Sequence, residues 1–74
     1  MSHTEFLREF EQMLEMPDSS LNGAEKLDDL EKWDSVAMVT LLSVVDEKCG
    51  VQLSPRNVAK CSTVNDVFQL TKPA

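Results

Sequence analysis

The feature that most constrains this chain is the junction at Asp34-Ser35, where a long polar connection stops and the apolar run Val36-Ala37-Met38-Val39-Thr40-Leu41-Leu42 begins. An Asp just ahead of such a run marks a helix N-terminus, because its carboxylate accepts from backbone N–H groups that have no partner within the helix. With Asp34 as the cap, Ser35 is the first helical residue and its hydroxyl is free to face solvent. An anion attached there would meet unpaired N–H groups and the positive end of the helix dipole.

Helical spacing recurs along the chain. Phe6, Phe10, Met13 and Leu14 share one face of a first helix expected from Thr4, as cap, to about Met16, with Pro17 as the stop. The connection Asp18 to Asp34 is long for a compact domain. Its large apolar residues, Leu21, Leu27, Leu30 and Trp33, are expected to pin it across the bundle, with a short helical turn around Ala24 to Leu30. Trp33 reads better as a loop anchor than as a binding aromatic. The second helix is expected from Ser35 to Lys48, capped by Gly50, with Met38, Leu41, Leu42, Val45 and Cys49 inward. Ser54-Pro55 opens a short third helix to Lys60, with Val58 and Cys61 inward. Ser62-Thr63 caps a fourth through Val64, Val67, Phe68 and Leu70, and Lys72-Pro73-Ala74 is a frayed end. No stretch alternates with period two. The expected fold is all-α, a four-helix bundle of three longer helices, one short helix and a long first loop, formed by one domain over residues 1–74.

Composition narrows the partners. Seven Lys and Arg against 13 Asp and Glu give a net charge of −6, which disfavours nucleic acid and anionic membranes and suits basic protein surfaces. No apolar run approaches the roughly 20 residues that span a bilayer, and the N-terminus lacks a signal-peptide pattern, so a cytoplasmic monomer is expected. Cys49 and Cys61 are too few for a disulfide scaffold and are expected to act as small core hydrophobes. The one histidine, His3, sits in a segment expected to fray, and no four-ligand zinc set exists.

Catalysis by Ser35 is not supported. A nucleophilic serine needs a base, and no Gly-x-Ser-x-Gly elbow surrounds it. The acids of the connection lack the ligand spacing of a calcium loop. Neither Asp34 nor Ser35 has the reciprocal Glu or Gln of a capping box, since Ala37 and Met38 stand three residues on.

The triplet Asp34-Ser35-Val36, the segment Glu47-Lys48-Cys49-Gly50-Val51 at the end of the second helix, and Ser62-Thr63-Val64-Asn65-Asp66-Val67 opening the last one together resemble the acyl carrier proteins. The resemblance covers nearly the whole chain. It implies that Ser35 carries phosphopantetheine, donated from coenzyme A by a phosphopantetheinyl transferase, and that the arm's thiol holds acyl groups as thioesters for acyl-loading and acyl-transferring enzymes. It implies no catalysis by the chain itself. The exposed side of the second helix becomes the partner-docking face, made of Asp34, Val36, Val39, Thr40, Ser43 and Glu47. Val36 and Val39 carry two readings, packing against a neighbouring short helix or an apolar docking patch.

One departure stands out. Fatty-acid-synthesis members commonly place acids soon after the serine, whereas Ala37, Met38 and Thr40 stand here and Asp46 and Glu47 come late. The chain looks more like discrete carriers of specialised pathways, polyketide ones among them. A D-alanyl or aminoacyl carrier is the rival within the family, and an unmodified helical interaction module is the rival outside it.

Overall fold

The computed structural model describes residues 1–72, and the expected fraying at Pro73 and Ala74 lies outside them. Four helices appear in chain order: α1 (His3–Met13), α2 (Ser35–Cys49), α3 (Pro55–Ala59) and α4 (Val64–Leu70), with a 3₁₀ turn at Leu27–Asp29 inside the long connection. No strand occurs among the described residues; Lys26 and Thr63 form one isolated antiparallel bridge.

Both ends of α1 differ from expectation. The cap is Ser2, not Thr4: Ser2 Oγ accepts from the Glu5 N–H at 3.1 Å, and the Glu5 carboxylate reaches back to the Ser2 N–H at 3.4 Å. This reciprocal pair is the Ser-x-x-Glu capping box. At the other end the helix closes before Pro17 is reached. Glu15 takes a left-handed conformation (φ 58°) and donates its N–H to Gln12 O, while the Met16 N–H reaches Glu11 O at 2.8 Å. These two bonds satisfy carbonyls that the last turn would leave unpaired, in the Schellman arrangement.

Phe6, Phe10 and Leu14 of α1 enter the core with Leu41 and Val45 of α2, Val58 of α3, and Val64, Val67 and Phe68 of α4. Each such side chain contributes about 1.5–3 kcal/mol when fully buried. Phe6 packs on Phe10 and Phe68 at centroid distances of 5.7 and 5.3 Å. On α1 Leu7 and Glu11 are buried too, whereas Met13 is only half-buried. The buried line of α2 runs Ala37, Leu41, Val45; Met38, Leu42 and Cys49, expected at its centre, flank it half-buried. The small Ala37 is the residue nearest the core at the start of the helix.

The connection is pinned by the four residues expected to do so. Leu21 and Leu27 are buried, Leu30 and Trp33 half-buried, and the Trp33 ring stacks on Phe10 at 5.3 Å and 20°. A buried acid does as much. The Glu11 carboxylate, wholly inaccessible, accepts the N–H groups of Ser19 at 3.1 Å and Leu21 at 2.8 Å and lies 3.2 Å from Arg8 Nε. A carboxylate is tolerated there only because charge and donors surround it.

Further along, the connection is sewn to the start of α4. Asn65 N–H donates to Gly23 O at 2.8 Å, Val64 N–H to Glu25 O, and Leu27 N–H to Ser62 O. Gly23 has φ 103°, and a Cβ built on it would stand 2.0 Å from Asn65 Oδ1, so this contact requires glycine. Burial pushes the Glu25 carboxyl up, but the N–H groups of Asn22, Glu25 and Gly23 outweigh that and hold it below its ordinary value. The N–H groups of Ser62 and Thr63 do the same for Asp66, which completes a capping box with Thr63. His3 belongs to this seam and not to a frayed end: its Nε2 lies 2.7 Å from Asn65 Oδ1, and its ring meets Phe68 edge-on at 5.0 Å.

The remaining ends follow their local signals. α2 runs one residue past Lys48 and stops at Gly50, whose φ of 67° is left-handed. Ser54 Oγ accepts from the Arg56 N–H at 3.2 Å with Pro55 in the first turn, and Lys60 ends α3 instead of extending it. Cys49 and Cys61 are free and only half-buried, so they border the core instead of filling it. Burial and the nearby Asp66 charge raise the Cys61 thiol.

Candidate functional site

The site is built on the start of α2. Asp34 is extended (φ −145°, ψ −172°), which turns its carboxylate back over the first turn, where Oδ1 accepts the Ala37 N–H at 2.8 Å. The Asp34 carbonyl accepts the Met38 N–H at 2.9 Å, the first bond of the helix ladder. Ser35 is exposed, and its hydroxyl makes no hydrogen bond among the described residues. The N–H groups of Ser35 and Val36, above the first ladder bond, are likewise unpaired there. A primary alcohol beside two free donors at a dipole's positive end fits an esterified phosphate.

Beyond Ser35 the outer face of α2 is apolar first and charged later. Val36 is 73% and Val39 61% exposed, so neither packs against a neighbouring helix. Thr40 is exposed, but its hydroxyl is occupied by Val36 O at 3.0 Å. Ser43, Asp46 and Glu47 are exposed. At about 100° per residue, Ser35, Val36, Val39, Thr40, Ser43 and Glu47 share one arc, and it runs roughly 18 Å from first to last. Asp34 closes the arc at its N-terminal end.

Residues from α1 reach the same end of the molecule. Lys32 Nζ lies 2.7 Å from Glu15 Oε2, and its hydrogen bond and charge hold the Glu15 carboxyl below its ordinary value. Met13 and Glu15 border a groove whose other wall carries Asp34, Val36 and Thr40. Sequence reasoning did not find these two residues. Their approach depends on the left-handed turn at Glu15, and only the charge complementarity of Glu15 and Lys32 hinted at it. At the far end, Lys48 is drawn to α1 by Glu9 (2.6 Å), whose bond and charge raise its pKa, so it is turned away from the exposed arc.

Residues 4–70 match the family model described as phosphopantetheine attachment site, and the chain belongs to that family, the one the acyl carrier proteins typify. No curated protein and no solved structure matches it. The domain is therefore one that takes phosphopantetheine covalently, a carrier of a kind that is generally non-catalytic. Among the described residues no helix is long and apolar enough to cross a membrane.

Proposed function

We propose that Ser35 is the attachment residue and that the protein carries acyl groups between biosynthetic enzymes. The observation that carries this reading is the Ser35 hydroxyl itself: exposed, unbonded, and fixed at the first position of α2 by the Asp34 cap. In the attachment step Ser35 Oγ attacks the pantetheine-side phosphorus of coenzyme A on the transferase. The Oγ–P bond forms, the P–O bond of the pyrophosphate breaks, and adenosine 3′,5′-bisphosphate leaves. The base that takes the hydroxyl proton belongs to the transferase, because the chain's histidine is held by Asn65 at 2.7 Å. Once attached, the group supplies a thiol that holds acyl cargo as a thioester. The chain's own contribution is to tether that cargo at high effective concentration beside whichever enzyme docks.

Asp34, Val36, Val39, Thr40, Ser43 and Glu47 form the docking face in this reading. Its apolar beginning, with acids only at Asp46 and Glu47, favours a discrete carrier of a specialised acyl pathway over one read chiefly through an acidic helix. Incubation with coenzyme A, Mg²⁺ and a broad-specificity transferase, followed by intact mass measurement, tests the reading. Gain of one phosphopantetheine is expected, and an unchanged mass would leave an unmodified interaction module as the better description.

A further inference from the structure

Two concavities meet beside the start of α2. One is the groove in which Asp34, Val36 and Thr40 face Met13 across the end of α1. The other lies behind it, between the end of α1 and the connection, with Leu14, Met16 and Leu30 in its lining and a volume of about 250 Å³. Glu15, Glu31 and Lys32 border both, so the two are continuous. The Lys32–Glu15 pair stands at the junction with side chains 57% and 77% exposed; an ion pair this wet is held weakly and gives way to a ligand.

We infer that this channel shelters a short acyl chain, of up to about six carbons, at the end of the arm on Ser35. The inference rests on the carrier reading above and adds the place and size of the cargo. Asp34 and Val36, the neighbours of Ser35 on either side, both line the groove, so an arm rooted on Ser35 starts at its mouth. The inner cavity offers the tail an apolar surface that water fills poorly. At roughly 30 Å³ per heavy atom it takes about eight heavy atoms, a thioester carbonyl with a six-carbon chain, and excludes the far half of a longer one. Another concavity, between α2 and the segment before α3, involves Leu42, Asp46 and Leu53. It begins seven residues beyond Ser35, roughly 10 Å along the helix axis, and charged and polar side chains share its walls.

The experiment loads the full chain with ¹³C-labelled hexanoyl or dodecanoyl phosphopantetheine from the corresponding acyl-coenzyme A, verifies loading by intact mass, and records chain-to-protein nuclear Overhauser effects. The hexanoyl methyl is expected to contact the Met16 and Leu30 methyls, and the dodecanoyl terminus to contact neither. Met16→Trp, which fills the cavity, is expected to abolish the Leu30 contact and to speed hydroxylamine cleavage of the hexanoyl thioester several-fold; if that variant does not fold, the wild-type contacts decide alone. In loaded protein, contacts to Leu42 or Leu53 instead, or none at all, would overturn the inference while leaving the carrier reading intact. Failure to load would overturn the carrier reading and this inference with it.

Discussion

The connection between α1 and α2 is held in opposite ways along its length. From Ser19 to Leu27 it is tied at almost every step: Glu11 takes the N–H groups of Ser19 and Leu21, Glu25 those of Asn22 and Gly23, and Gly23 and Glu25 give their carbonyls to the start of α4. At its far end Asp34 makes one capping bond and Ser35 and Val36 stand in solvent. Stability is thus invested in the seam with α4, and the helix start that presents Ser35 is left accessible. Changes in the seam should therefore cost folding without touching the chemistry of Ser35, and changes at the helix start should do the reverse.

Glu11→Ala should show the largest effect, about 3 kcal/mol of stability, because it strands the Ser19 and Leu21 N–H groups and leaves Arg8 without its counter-charge. Urea denaturation reads it. A loss below about 1 kcal/mol would mean that the buried carboxylate does not hold the connection. Gly23→Ala comes next, at roughly 2 kcal/mol, since its Cβ meets Asn65 and its backbone is left-handed. The folded fraction of both variants should still be modified at the wild-type rate, and a slowed rate would show the two regions to be coupled.

Asp34→Ala crosses the boundary. It should cost about 1 kcal/mol through the lost cap and also slow modification, because the turn that fixes Ser35 loosens. Stability and rate both unchanged would exclude Asp34 as cap and as recognition element. Val36→Asp has the smallest expected effect on stability, within about 0.5 kcal/mol for an exposed side chain, yet transferase affinity should fall by more, since a charge then meets an apolar contact. Titration at low and high salt separates the terms. Unchanged affinity with a steep salt dependence would move docking to the acidic connection.

The sequence made α2 legible because its signals are local: Asp34 before an apolar run, Gly50 after it, and helical spacing between. Ser54-Pro55 and Thr63 were legible on the same grounds, and the family pattern pointed to Ser35. What escaped was decided at a distance. Glu11 reads as a surface acid in a helical pattern, and its burial follows only from the connection folding over it. Asn22-Gly23 signals a turn but not that Asn65 will rest on the glycine. The early end of α1 depends on a non-glycine residue, Glu15, adopting a left-handed conformation, which turn propensities disfavour. The Ser2 cap was the exception, a local signal present as Ser2-x-x-Glu5 and passed over for Thr4.

The central claim, that Ser35 serves attachment and contributes nothing to the fold, is tested most directly by Ser35→Ala, with intact mass after transferase treatment and urea unfolding measured on the same sample. The account predicts no added phosphopantetheine and stability within about 0.5 kcal/mol of wild type. A variant that still gains the phosphopantetheine mass, or one that loses several kcal/mol, would contradict it.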